Sequence, residues 1–382
     1  MKYKWDATDI KKALDKLKII INKTTDVEER YYYSRVYDAT MQTLFMFTTN
    51  FEKKDPPLNE KLCKLTNTLY SSGSWYSLVR EVYDRVEIVD DFTYDATEAI
   101  NKKVRKDKSF TLDTGSYIGH DQVIEMAKSF YERFDPELFE YFMYIYKHRY
   151  SSFDFVQPDG VYTSDCFFVD GVRRFFINIV DNNGVKKYTD TIHECGHIIE
   201  SLMNPRICFD NNDNYFSEVS SIFPELVAFE EGFKTDKKDE YLYQYFCSLA
   251  ATIDETACLI EHDAIAAAWL DNNCIVDSNY YDILKNSYNV DKKDALEALN
   301  VGIDSTGCYV TSMGIALELL HIYKQDKKEA LKLFKKILMV PCDYNLNAYI
   351  MKLVPYGTGI NKELKIFKDE FGSLLERKGV KL

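Results

Sequence analysis

The stretch TDTIHECGHIIESL, from Thr189 to Leu202, constrains the chain more than any other. It holds two of the six histidines in 382 residues, spaced four apart, with Glu194 directly after the first. A helix turns about 100° per residue, so His193 and His197 lie one above the other on a single face. Glu194 is rotated to the side of that face. Gly196 stands inside the same helix, where glycine costs about 1 kcal/mol relative to alanine. Its presence predicts that something packs close to the backbone there.

Two imidazole nitrogens one helical turn apart can bind one ion at about 2.0–2.1 Å, the distance zinc prefers. From the neighbouring position a carboxylate reaches a zinc-bound water without ligating the metal. Zinc lowers the pKa of that water, and the carboxylate can take its proton. A catalytic zinc needs a third protein ligand and one open position. His120, His148, His262 and His321 follow no such spacing, and His262, in LIEHDAIAAAW, reads as a structural residue.

A glutamate ligand would come from a second helix downstream. FSEVSSIFPELVAFEE, from Phe216, offers Glu218, 21 positions beyond His197, and Glu225, two turns further along the same face. Glu218 reads as the third ligand. Glu225 can hydrogen-bond a ligating imidazole. Solvated helix charges are the competing reading for both.

Most of the remaining chain carries helical periodicity. Expected helices cover about 8–21, 26–51, 58–70, 75–89 and 94–106, then 121–150 with a break at Pro136. FFVDGVRRFFINIV, Phe167 to Val180, is rich in β-branched and aromatic residues around Asp170-Gly171, a tight-turn pair, and predicts a β-hairpin. Its exposed edge can pair with an extended peptide, or the hairpin can simply close one side of the core. The motif helix is expected to begin near Tyr188–Asp190, with a polar loop over 204–214. Later helices fall at about 239–271, 280–288, 292–300, 309–324, 327–339, 345–353 and 361–377. One soft boundary separates a helical N-terminal lobe, 1–155, from a catalytic region, 156–382.

Composition removes several function classes. A net charge of −13 argues against nucleic acid as a partner. Nine cysteines form no C-x-x-C pair, which suits reduced thiols in a cytoplasm. The N-terminus lacks the apolar core of a signal peptide, and no stretch reaches the roughly 18 apolar residues of a membrane span.

The region from Gly160 to about Glu231 resembles the zinc oligopeptidases of the oligopeptidase F and thimet oligopeptidase family. HECGH matches that family's H-E-x-G-H, and EVSSIFPE, Glu218 to Glu225, matches its E-V-x-S-x-F-x-E. Gly160 and Tyr162 fit the preceding G-x-Y, and the run from Tyr309 to Leu338 has the texture of the late helix pair. The likeness spans roughly 155–375.

It implies a mainly α, two-lobed zincin-type metallopeptidase with a small hairpin beside the active-site helix and a central cleft. One Zn2+ per chain would be held by His193, His197 and Glu218, with Glu194 as the base and short peptides as substrates. The chain is much shorter than typical members. The family's late histidine is missing from LNVGIDSTGCYVTSMG, Leu299 to Gly314, where Tyr309 is the one tyrosine. Tyr309 is the candidate oxyanion donor, against a packing role; Tyr280, Tyr281 and Tyr288 are the fallback donors. Two further readings stand beside hydrolysis. One is a peptide-binding protein that keeps the zinc but cleaves weakly or not at all. The other is a purely structural zinc, disfavoured because Cys195 faces away from the histidine pair.

Overall fold

Apolar residues at helical spacing produce most of the architecture. A computed structural model describes residues 7–26, 29, 32–33, 36–37, 39–40, 56–71, 75–112, 115, 117–158, 164–169, 174–182, 184–204, 216–273, 275–301, 308–340 and 346–382. The N-terminal helices are α1 (Ala7–Lys23), α2 (Pro56–Ser71), α3 (Trp75–Lys106), α4 (His120–Phe134) and α5 (Pro136–Ser152). Three short strands follow: β1 (Phe153–Val156), β2 (Asp165–Val169) and β3 (Arg174–Val180). Next come α6 (Gly184–Met203), α7 (Val219–Gly232) and α8 (Lys238–Asp271). The chain then runs through α9 (Ser278–Tyr288), α10 (Lys292–Val301), α11 (Cys308–Gln325), α12 (Lys327–Leu338), α13 (Leu346–Leu353) and α14 (Gly359–Arg377). The protein is mainly α with one small sheet, and a continuous hydrophobic cluster extends from Ile10 to Val380.

The break at Pro136 has a local cause. Asp135 caps α5, its carboxylate accepting the N–H groups of Glu137 (2.9 Å) and Leu138 (3.1 Å), with Pro136 in the first turn where no N–H is needed.

Two boundaries differ from the sequence expectation. The segments 75–89 and 94–106 form one 32-residue helix, α3. The polar run Asp90-Asp91 does not interrupt it. The Tyr83 hydroxyl donates to Asp90 at 3.0 Å, and Thr93 Oγ1 bonds back to the Asp90 carbonyl at 2.8 Å. Val82, Val86, Val89, Phe92 and Ala96 keep a buried stripe through the join.

The motif helix α6 starts at Gly184, several residues before Tyr188. Gly184 has a φ of 67°, a left-handed conformation that turns the chain from β3 into the helix. Lys187 is wholly buried. Its ammonium bonds the Ile118 carbonyl at 2.7 Å, pairs with Asp181 and lies 4.0 Å over the Tyr117 ring.

The predicted hairpin exists as β2 and β3, antiparallel with Phe167 opposite Phe176 and Val169 opposite Arg174. Its Asp170-Gly171 turn lies outside the described residues, as do most of 26–51, Gly160, Tyr162, Gly307 and all but the first residue of 204–214. A third strand was not foreseen: β1 pairs in parallel with β3, giving the order β1-β3-β2. FDFV is too short to show a period of its own. Phe175, Ile177 and Ile179 alternate inward from β3, and both β2 and β3 pack against α6. Strand β2 is an edge of the sheet and lies on the same side as the motif helix.

Candidate metal centre

Helix α6 is held by its apolar face. Ile192, Cys195, Ile198, Ile199 and Leu202 are buried, and the Tyr131 hydroxyl of α4 donates to the Ile192 carbonyl at 2.9 Å. That leaves His193 and His197 on the opposite face, half-buried, with ring centres 5.2 Å apart. Helix α7 packs more extensively on α6 than on any other element. The close approach predicted at Gly196 is present. A methyl group there would overlap the Ser220 carbonyl oxygen and sit 2.9 Å from Ser221 Cα. Pro224 lies inside α7 and has no N–H to offer Ser220 four residues earlier, so that carbonyl is turned against the glycine.

This contact sets Glu218, the residue before α7, opposite the two histidines. Glu218 Oε2 lies 3.3 Å from His193 Nε2 and 3.1 Å from His197 Nε2. Ligand atoms on a tetrahedral zinc at about 2.0–2.1 Å stand about 3.3 Å apart. The donor set of two imidazole nitrogens and one carboxylate oxygen suits a zinc-sized cation, and both carboxylate–imidazole separations are close to that edge length. Among the described residues this is the only trio of histidine, cysteine or acidic ligand atoms found at metal-binding separation.

The outward nitrogens are also engaged. His193 Nδ1 lies 3.1 Å from Glu225 Oε2, and His197 Nδ1 lies 3.3 Å from Ser220 Oγ. Such contacts fix the tautomer that leaves Nε2 free to ligate. Ser221 Oγ donates to Glu218 Oε2 at 3.1 Å, and the Glu218 backbone N–H donates to Ser312 Oγ at 3.2 Å, so α11 also steadies the backbone that carries this carboxylate.

The electrostatics favour a positive charge at the point of convergence. Burial opposes charge on His193, but the Glu218 and Glu225 carboxylates outweigh it and hold its pKa well above the imidazole norm. His197 is raised in the same way, with Glu218 overcoming burial. Burial acts against the Glu218 carboxylate too, yet the two imidazoles hold its pKa well below the usual range. Glu194 is 6% exposed; burial raises its pKa while the histidines and a hydrogen bond from the Cys166 thiol act in the other direction.

A cavity of about 800 Å³ opens beside the trio. His193, Glu194 and Glu225 line it, with Tyr309 and Met313 from α11, Ile222 and Phe229 from α7, and one side of α8. Tyr309 is thus on the cavity wall, 40% exposed, its hydroxyl kept protonated by burial and by the nearby Glu218 charge. Tyr280, Tyr281 and Tyr288 are not on that wall. Tyr280 is buried, and the Tyr288 hydroxyl is bonded to Asp271 at 3.1 Å. All three lie on α9, which packs on α8 and α10.

His262 is fully buried, 3.0 Å from the Ala298 carbonyl, a structural histidine as expected. His120, His148 and His321 are engaged elsewhere with Asp181, the Tyr144 carbonyl and Glu363. Cys195 is buried in the core, away from the cavity. Two residues at the site escaped the sequence reading. Cys166 on β2 touches Glu194, and Glu255 on α8 faces the cavity. Neither stands at a recognisable spacing from the motif, so no local signal pointed to them.

No protein-family model matches the sequence, and a search of curated proteins finds no match. Solved structures do resemble it. PZ peptidase A, solved with an inhibitor, overlays at a TM-score of 0.52 and 15% identity over 96% of this chain and 69% of its own. A Chlamydophila abortus protein assigned as a peptidase overlays at 0.58 and 14% identity, over 93% and 63%. A Bacillus anthracis protein assigned as an oligoendopeptidase F gives 0.47 and 13%, over 95% and 69%. The chain thus spans about two thirds of the length of these proteins. What it shares with the first two, at that level of identity, is their fold.

Proposed function

We propose that the chain is a zinc-dependent peptidase acting on short peptides. One observation carries the reading: the Nε2 atoms of His193 and His197 converge on Glu218 Oε2, beside a cavity that Glu194 also lines. His193, His197 and Glu218 would hold the ion. Bound there, zinc supplies Lewis-acid chemistry, making a water more acidic and polarising a peptide carbonyl.

The remaining steps belong to the chain itself. Glu194 accepts a proton from the attacking water and passes it to the leaving nitrogen as the C–N bond breaks; the second water proton follows, so one peptide bond and one water become a carboxylate and an ammonium. Cys166, a neutral thiol because burial and Glu194 push its pKa up, holds that carboxylate in place. The Tyr309 hydroxyl donates to the carbonyl oxygen as negative charge develops on it. Among the described residues no strand pairs with the outer edge of β2, which carries Cys166 beside Glu194, and an extended peptide can add there as a further strand. Ile222, Phe229 and Met313 give substrate side chains an apolar wall.

The test is Glu194→Gln. It should retain zinc, measured by metal analysis, and lose turnover of a quenched fluorescent peptide library by about 10²-fold or more. Full turnover in this variant ends the mechanism. Binding without turnover in the wild-type chain would favour a peptide-binding protein that keeps its metal.

A further inference from the structure

Among the described residues on the cavity wall, one carboxylate has neither a task in the proposed chemistry nor a partner for its buried oxygen. Helix α8 contributes Gln244, Cys247, Ser248, Ala251, Thr252 and Glu255 to the wall. These recur at three- and four-residue steps, so one continuous face of the helix borders the space. The other acidic groups on the wall are matched. Asp190 pairs with Lys186 at 3.0 Å, Glu225 lies on His193, and Glu194 takes the Cys166 thiol. Glu255 differs: its Oε1 is sealed from solvent and has no hydrogen-bond partner among the described residues. Burial and the Glu218 charge raise its pKa to about 7. A carboxylate oxygen sealed from water without a donor is costly, and a cation delivered by a ligand removes that cost. Among the described wall residues the one lysine, Lys186, is already committed to Asp190.

We infer that Glu255 is a specificity residue that receives a cationic nitrogen of the bound peptide, either its free amino terminus or a lysine or arginine side chain. The inference rests on the peptidase reading only for the class of ligand. Walls of Ile222, Phe229 and Met313 accept the apolar parts of a peptide, and Glu255 fixes its orientation through one charge. A peptide so anchored is held in one register across the metal trio.

The experiment measures binding apart from hydrolysis. The host is the zinc-loaded Glu194→Gln chain, and the probes are short peptides with a C-terminal fluorophore. One has a free amino terminus and no basic side chain, one is acetylated with a single lysine, and one is acetylated and neutral. Anisotropy titrations should give one or both cationic peptides a Kd at least about tenfold below that of the neutral one. Which of the two gains identifies the source of the cation.

Adding Glu255→Gln should bring the ratio close to one. Thr252→Lys, one turn earlier on the same wall, should do the same by supplying an internal ammonium, and it keeps the test readable if Glu255→Gln fails to fold. Equal binding of all three probes by the parent, or a ratio that survives both substitutions, overturns the inference. The peptidase reading fails separately. A wild-type chain that cleaves none of the probes while the Glu255-dependent ratio persists leaves the binding role intact. Cleavage of all three with equal affinity leaves the peptidase and removes the role.

Discussion

Gly196→Ala probes the geometry on which the metal trio depends. Two effects of opposite sign meet at this position. Alanine favours a helix interior over glycine by about 1 kcal/mol. Against that, the new methyl would overlap the Ser220 carbonyl and lie 2.9 Å from Ser221 Cα. Carbon atoms settle at about 3.5–4.0 Å, so the two helices must part by roughly 0.6 Å or more. The obstacle is backbone, which cannot swing aside as a side-chain tip can. Overpacking of this kind costs about 1–3 kcal/mol, leaving a net loss of about 0–2 kcal/mol.

Stability is therefore a blunt readout, and zinc affinity is the sharp one. Glu218 stands two residues before Ser220 and moves with it, while both histidines stay on α6. Sites of this type need their ligands within about 0.5 Å of the productive geometry. Competition against a chromophoric chelator should show zinc affinity lowered about 10–100-fold, together with a smaller zinc-induced rise in Tm. A Gly196→Ala chain that melts higher than wild type and binds zinc as tightly would refute the packing argument.

Other substitutions separate the remaining roles. Tyr309→Phe should lower kcat by about 10- to 1,000-fold with little change in KM, since its hydroxyl acts where charge develops; an unchanged kcat would reduce Tyr309 to a wall residue. Glu255 gives a pH signature in zinc-free protein. Its folded pKa of about 7 exceeds the ordinary 4.5, so the folded state keeps a proton that the unfolded chain has released. The stability it contributes is full below about pH 4.5 and fades as pH rises towards 7. That gap corresponds to about 3 kcal/mol at most. Urea unfolding of Glu255→Gln should therefore gain about 1–3 kcal/mol on wild type between pH 5 and pH 8, and parallel curves would refute the assignment.

The sequence made the centre of the site legible because its key spacings are local. His193 and His197 needed only the helical repeat to meet, and Glu218 and Glu225 lie on one downstream segment whose seven-residue spacing keeps both on the same side. Gly196 carried its message through an intrinsic cost that only a close neighbour explains. The hairpin could be read from alternating aromatic and β-branched residues around a turn pair. The residues that were missed depend on contacts far apart in the chain. Lys187 is buried by Asp181, Tyr117 and the Ile118 carbonyl, and no local pattern marks it for that place. Cys166 reaches Glu194 from a strand and Glu255 lines the cavity from a distant helix, and nothing within a few residues of either announces that destination. The unbroken α3 was hidden for a related reason: Asp90 and Thr93 satisfy each other's neighbourhood within the helix, which composition alone cannot display.

The most direct test is X-ray absorption at the zinc edge on zinc-loaded protein, with metal stoichiometry from the same sample. The account predicts one zinc per chain, ringed only by nitrogen and oxygen at about 2.0–2.1 Å, with the multiple-scattering pattern of two imidazoles. That pattern should fall to one imidazole in His197→Ala. A sulfur shell near about 2.3 Å, or an absorption spectrum unchanged by removing His197, would place the ion elsewhere and contradict the account.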